Sequence, residues 1–255
     1  DGGALSKAHA IQNYYGLEKP LTGEELLQVG KKQALDLGAQ IVDDEVMDLM
    51  FDGSQFVAKG LTASYHGKVC IMATGAARKK YPLPGMAEME GHGVSYCAVC
   101  DSFFYKGKNV AVLGNGEYAL HETEELLQVV GSATLLTNGA EVSANFPDKV
   151  RIEKRHLQGL VGEGAFQGVR YEDGTEESFD GLFVALGSAN ATDLALKAGA
   201  AFDQGKLVLD GDLQTTLPGL YAAGDCTGGI LQVSIAVGEG ARAALAAIKY
   251  LRENK

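Results

Sequence analysis

Two cysteines three positions apart, in the run Cys97-Ala98-Val99-Cys100, are followed directly by Asp101 and form the sharpest chemical feature of this sequence. Cysteines at that spacing can close a small disulfide ring and reopen it as a dithiol. One thiolate attacks a partner disulfide and the second thiol resolves the mixed disulfide. An adjacent carboxyl can hold the proton that leaves or arrives. The rival chemistry is half of a zinc site, which needs a second ligand pair. The two remaining cysteines, Cys70 and Cys226, lie far apart, and the five histidines contain no pair spaced four to six positions apart. Dithiol chemistry without a metal is therefore the expectation.

A second feature is the run Gly219-Leu220-Tyr221-Ala222-Ala223-Gly224-Asp225. It reads as a strand that delivers an Asp just past a Gly, ahead of a helix. Such an Asp can bond a sugar or ribityl hydroxyl while the small residues admit a cofactor to the backbone. The bland alternative is a helix-capping Asp in a turn. Gln232-Val233 and a helix over 234–251 then bring backbone N–H groups to the same place.

The elements that must position these groups alternate between helix and strand. Residues 21–37 read as a helix with Thr22 at its N-cap, Glu25 three residues on, and Gly38 after its end. Residues 39–51 read as a strand. Residues 55–75 read as two strands with a turn around Tyr65–Gly67, the second ending in a small-residue loop at Thr74-Gly75-Ala76. Pro82, Pro84 and Gly85 interrupt regular structure. Residues 108–131 read strand, glycine turn, helix, and several further strands follow. The fold class read from this pattern is α/β, with two regions of similar character flanking and enclosing a central one.

Composition bounds the rest. The chain has 255 residues, 46% hydrophobic and 22% charged, and a formal net charge of −11. These proportions are those of a folded protein, and the charge disfavours nonspecific binding to nucleic acid or an anionic membrane. No apolar run approaches the ~18 residues of a spanning helix. The opening DGGALSKAHA has no signal-peptide core. Four cysteines are too few for a disulfide scaffold, and the cytoplasm is the expected compartment.

Four stretches, IQNYYGLEKPLTGEEL, MATGAARKKYPLPG, CAVCD and GLYAAGDCTGGILQVSIAVGEGARAALAAIKYL, occur in the order found in the thioredoxin reductase family of flavoproteins, which the sequence resembles along nearly its whole length. The resemblance implies FAD as cofactor, thioredoxin as substrate, and a homodimer. It also implies an α/β fold of two Rossmann-like domains of the FAD/NAD(P)-binding type, with 1–86 and 208–255 as the two parts of a discontinuous FAD domain and 87–207 as a central domain carrying the cysteine pair. It makes Cys100 the thiol that faces the flavin, Cys97 the thiol that attacks the substrate, and Asp101 the acid–base residue. It places Gly2, Gly3, Leu5, Asn13, Thr74, Gly75, Asp225, Gln232 and Val233 near FAD. Cys226 is expected to be a packing residue and Cys70 a core residue.

Two departures from the family matter. Its members open with a strand, a G-x-G-x-x-G turn and a helix that hold the ADP half of FAD, a unit of roughly 30 residues. The sequence given starts after that unit, which is expected to precede it. The second departure is in the central domain. The nucleotide fingerprint there reads Gly114-Asn115-Gly116-Glu117-Tyr118-Ala119. Glu117 puts a negative charge where a pyrophosphate would sit, and Tyr118 adds bulk. The family's NADPH enzymes follow the next strand with a His-Arg-Arg run that clamps the 2′-phosphate. Residues 135–140 here contain no basic side chain. In lacking these motifs the sequence resembles the ferredoxin-dependent flavin thioredoxin reductases. Ferredoxin is thus the expected donor, with Arg78-Lys79-Lys80, Lys106 with Lys108, and Lys149, Arg151, Lys154 and Arg155 as local docking charges. An NAD(P)H-dependent reductase with an atypical nucleotide site and a flavin-free scaffold are the competing readings.

Overall fold

The computed structural model describes residues 3–75, 82–187, 189, 191–203 and 206–254. The chain forms two compact units, one made of Asp1–Arg78 with Asn190–Lys255 and the other of Lys79–Ala189. The breaks fall at 78/79 and 189/190, where the sequence reading put them at 86/87 and 207/208. Residues after 190 join the first unit because helix Ala191–Ala198 packs on strand Val46–Phe51. Lys197 Nζ there donates to the Met47 carbonyl at 3.0 Å.

In the first unit, helix Gly23–Asp36 starts at the expected capping box. Thr22 Oγ1 accepts the Glu25 N–H at 3.2 Å, and Glu25 Oε2 accepts the Thr22 N–H at 2.8 Å. Two of the helix start's donors are thereby satisfied within four residues of sequence. Strands Val46–Phe51, Phe56–Gly60 and Ser64–Gly67 form an antiparallel sheet in chain order.

Two local expectations are corrected here. Residues 39–45 are irregular, and Tyr65–Gly67 is strand, with the turn at 61–63. Asp44 explains both. Its carboxylate accepts from Thr62 N–H, Thr62 Oγ1 and Tyr65 Oη, so it organises the turn instead of pairing in a ladder. A Cβ at Gly60 would lie 2.2 Å from Asp44 Oδ2, so this approach requires glycine.

Strands Cys70–Met72 and Leu220–Ala222 pair in parallel although about 150 residues separate them. Helix Val233–Glu253 packs Ala243 and Ala247 onto Leu213, Tyr221 and Ala223 behind this pair.

The second unit is a five-stranded parallel sheet in the order Val94–Ser95, Gly181–Val184, Asn109–Leu113, Ser132–Leu136, Arg151–Glu153. Helix Glu117–Leu126 makes the crossover between the third and fourth of these. The central strands are buried on both faces, as a sheet with parallel crossovers requires. A Cβ on Gly114 would fall 2.3 Å from the Ala185 carbonyl oxygen, so the turn leaving Asn109–Leu113 needs glycine to pass its neighbour. An antiparallel sheet of Leu157–Val161, Gly168–Tyr171 and Glu176–Ser178 completes the unit. This is the expected α/β architecture of two Rossmann-like units, the first built from two segments. Among the described residues no helix is long and apolar enough to cross a membrane.

Candidate functional site

Cys97 and Cys100 are joined in a disulfide. Cys97 is the N-cap of helix Ala98–Asp101, and its Sγ accepts the Cys100 N–H at 3.2 Å. Cys97 is 3% exposed, whereas Cys100 lies at the surface of its unit. Ser95, at the end of strand Val94–Ser95, secures the pair. Its Oγ accepts the Cys97 N–H at 3.1 Å and donates to Asp101 Oδ2 at 2.7 Å. The carboxyl next to the disulfide is therefore held by a buried hydroxyl and does not swing freely. Val99, Phe103 and Phe104 are exposed around the pair, Phe103 at 76% and Phe104 at 69%. Sequence reading passed over these two Phe, since only their exposure distinguishes them from core residues.

In the other unit, three of the expected cofactor residues, Thr74, Gly75 and Asp225, follow the carboxyl ends of the parallel strands Cys70–Met72 and Leu220–Ala222. Open α/β sheets bind their ligands at this edge. Thr74 and Gly75 follow the first strand and Asp225 the second. The Ala223 N–H donates to the Met72 carbonyl at 2.9 Å, extending the pairing to the rim. Gly224 has φ +78°, a conformation that turns Asp225 out of the strand line. Asn13 Nδ2 donates to Gln232 Oε1 at 2.9 Å, which joins positions 219 residues apart. Gln232 is the N-cap of helix Val233–Glu253 but makes no side-chain cap, and the helix's first turn holds no acidic residue. Gly3 (φ +60°) and Leu5 lie elsewhere, where the Leu5 carbonyl meets the start of helix Gly23–Asp36. Gly2 and Ala76 lie outside the described residues.

Cys226 donates to the Ala223 carbonyl at 3.2 Å. Burial pushes its thiol up, and pushes Cys70 to about 11. Both are poor thiolates, as packing residues are.

This edge suits a flavin. Among the described residues the Asp225 carboxylate accepts no side-chain or backbone hydrogen bond, so it is open to a hydroxyl. The uncapped helix start offers N–H groups, and the exposed Ile230 and Leu231 offer apolar contact.

The nucleotide turn of the second unit bonds to a later loop of its own chain. Asn115 Nδ2 donates to the Glu141 carbonyl at 2.8 Å, and the Ser143 N–H donates to the Asn115 carbonyl at 2.9 Å. Glu117 opens the helix after the turn and already complements its dipole. Tyr118, expected to crowd the turn, is fully buried in the core instead.

The basic cluster at 149–155 also differs from expectation. Arg151 pairs with Glu153 and Glu177, Lys154 with Glu141, and Arg155 with Glu153, Asp173 and Glu177. Arg155 also stacks 3.7 Å from the Tyr171 ring centroid. Interleaved acids neutralise this cluster, so it is not a cationic patch. Lys108 sits 5.5 Å over the Tyr105 ring beside the exposed Lys106. Arg78-Lys79-Lys80 lies outside the described residues.

A disulfide at a helix start in one α/β unit and an open strand-edge site in the other define the class: a dinucleotide-fold disulfide oxidoreductase. The family model for pyridine nucleotide-disulphide oxidoreductases matches residues 5–240. The thioredoxin reductase of Peptoclostridium acidaminophilum is 31% identical over 274 residues, covering 99% of this chain and 87% of its own. That of Aquifex aeolicus is 32% identical over 273 residues, with 99% and 84% covered. Among solved structures, the atypical thioredoxin reductase TRi from Desulfovibrio vulgaris Hildenborough matches with a TM-score of 0.91 at 38% identity, covering 98% of this chain and 88% of that one. A ferredoxin-flavin thioredoxin reductase from Clostridium acetobutylicum matches with a TM-score of 0.70 at 31% identity, covering 98% and 86%. The chain belongs to the pyridine nucleotide-disulphide oxidoreductases and, within them, to the thioredoxin reductases, flavoproteins that bind FAD and reduce the disulfide of thioredoxin.

Proposed function

We propose that this thioredoxin reductase draws its electrons from reduced ferredoxin and not from NADPH or NADH. The observation that carries the reading is the make-up of the nucleotide turn and of the strand end that follows it. Glu117 adds like charge at the helix start, and residues 135–140 supply no cation for a 2′-phosphate. The resemblance in fold to a ferredoxin-flavin enzyme supports the same reading. A net charge of −11 does not steer an acidic protein donor. With Arg151, Lys154 and Arg155 neutralised, Lys106, Lys108 and Lys149 are the expected docking charges left among the described residues.

When bound, FAD supplies the exchange between a one-electron donor and a two-electron disulfide couple. Asp225, Thr74, Gly75, Asn13, Gln232 and Val233 hold it at the strand edge of the first unit. Reduction breaks the Cys97–Cys100 bond, and two electrons and two protons give two thiols. Cys100, the exposed sulfur, faces the cofactor. Cys97 attacks thioredoxin, and the N–H of Cys100 is already aimed at its sulfur to support the thiolate. Because Cys97 is buried in the disulfide form, its side chain must turn outward once released. Asp101, held by Ser95, carries the proton between thiol and solvent. The Cys97–thioredoxin disulfide then breaks when Cys100 attacks Cys97.

The reading includes a cytoplasmic homodimer. Two unpaired cysteines suit a reducing compartment. Val237, Leu245 and Ile248 give the long C-terminal helix an apolar face that a second copy could cover. Calorimetric titration of the FAD-loaded protein with NADPH tests the donor assignment. The account expects no measurable heat at millimolar nucleotide, and a micromolar dissociation constant contradicts it.

A further inference from the structure

Helix Glu117–Leu126 brings to the disulfide a carboxyl that the thiol chemistry above does not use. Glu122 is 1% exposed, and its Oε2 accepts the Ala98 N–H at 2.7 Å. Ala98 is the residue after Cys97, in the first turn of the helix that carries the pair. A cysteine at a helix start owes much of its acidity to the open N–H groups and dipole found there. Here those donors are nearly all assigned. The Cys97 N–H goes to Ser95, the Ala98 N–H to Glu122 and the Asp101 N–H to the Cys97 carbonyl, while the Cys100 N–H remains for Cys97 Sγ. Glu122 thus ties the first N–H of the helix to an acidic side chain beside Cys97. A neutral side chain could cap Ala98 as well, and burying an acid is the more costly way to do it.

We propose that Glu122 is a positioning residue that disfavours the Cys97 thiolate and so makes the Cys97–Cys100 couple more strongly reducing. The inference rests on the reading of that disulfide as the working redox couple. Other ionisable groups on the elements packed around the pair are Tyr96 and Asp101 beside it and Tyr105 on the turn that follows. Glu117, His121, Glu124 and Glu125 share the helix of Glu122. Asp101 is turned to Ser95, while Glu122 is the acid that reaches the Ala98 N–H.

The test equilibrates FAD-loaded wild-type protein and Glu122→Gln with dithiothreitol redox buffers at neutral and alkaline pH. Free thiols are then trapped and the Cys97–Cys100 peptide is quantified by mass. Reduction opens the S–S bond at the expense of a dithiothreitol dithiol, which closes to its cyclic disulfide. Gln keeps the shape and the acceptor and loses the charge. The expected result is an equilibrium constant shifted toward the dithiol by up to about tenfold at alkaline pH, roughly 30 mV. In a Cys100→Ser background, the pH midpoint of Cys97 alkylation is expected to fall by about one unit when Glu122 becomes Gln.

A merely structural cap would move neither quantity, so an unchanged constant and midpoint overturn the proposal. A second measurement needs no variant at Glu122. In wild-type protein labelled with 13C-glutamate, a glutamate carboxylate band must shift when dithiothreitol opens the disulfide, because the coupling is mutual. The absence of any such shift also overturns it. A wild-type disulfide that no dithiothreitol buffer opens would instead refute the redox reading itself, and this inference with it.

Discussion

Replacing Ser95 by Ala removes one hydroxyl and disturbs the disulfide site in two ways. Ser95 is 7% exposed, and its Oγ is the acceptor for the Cys97 N–H and the donor to Asp101. Without it, a buried N–H loses its partner, at a cost of about 1–3 kcal/mol, and a carboxylate loses a charge-assisted bond worth about 1.5–3 kcal/mol. Asp101 is only half-buried and water can replace part of its loss, so the local cost should be about 2–4 kcal/mol. Hydrogen exchange over residues 94–101 reads this directly. About 2 kcal/mol corresponds to roughly thirtyfold faster exchange at the Cys97 amide. The effect on turnover should be smaller than that of Asp101→Asn, expected at ~10²–10⁴-fold, because the carboxyl survives with its aim loosened. About tenfold slower thioredoxin reduction is the expected value, equivalent to about 1.4 kcal/mol on the barrier. Wild-type turnover together with wild-type protection at Cys97 would show that Ser95 holds neither group.

Cys97→Ser and Cys100→Ser should each abolish thioredoxin reduction and leave FAD bound, since each thiol needs the other to complete the exchange. Trapping a mixed disulfide with thioredoxin from Cys97→Ser but not from Cys100→Ser would reverse the assigned roles. Asp225→Ala should weaken FAD retention by about ten- to a hundredfold, the worth of a charged hydrogen bond of ~1.5–3 kcal/mol. A full flavin complement that resists dialysis would remove Asp225 from the site. With the disulfide intact, Cys70 and Cys226 should resist iodoacetamide at neutral pH, because burial raises both thiols and little thiolate forms until the pH climbs toward them. Rapid labelling of either in folded protein would contradict this.

Where the physics is local, the sequence could be read directly. The Thr22–Glu25 capping box, the Cys97–Cys100 pair and the turn at Gly224-Asp225 are each complete within a few residues. The two-segment unit was legible only through the family resemblance, since the pairing of Cys70–Met72 with Leu220–Ala222 joins strands about 150 residues apart. Partners distant in sequence were not. Asp44 looks like one of three consecutive acids, and nothing nearby announces its bonds to Thr62 and Tyr65. Glu122 stands in the run His121-Glu122-Thr123-Glu124-Glu125, which reads as a solvated face, yet it is buried against Ala98. The Arg151–Arg155 cluster looked cationic because Asp173 and Glu177, which pair with it, come some twenty residues later in the chain. The bonding of Asn115 to Glu141 and Ser143 likewise depends on a loop whose path no periodicity reveals.

The donor is the central claim, and anaerobic mixing of the oxidised FAD-loaded protein with each candidate donor tests it most directly. The flavin absorbance is followed first, then the loss of the thioredoxin disulfide. The account predicts that reduced ferredoxin bleaches the flavin and drives thioredoxin reduction, while NADPH and NADH in millimolar excess leave the flavin oxidised. Rapid bleaching by micromolar NADPH would contradict it, and would mean that the turn at Gly114–Ala119 admits a nucleotide despite Glu117.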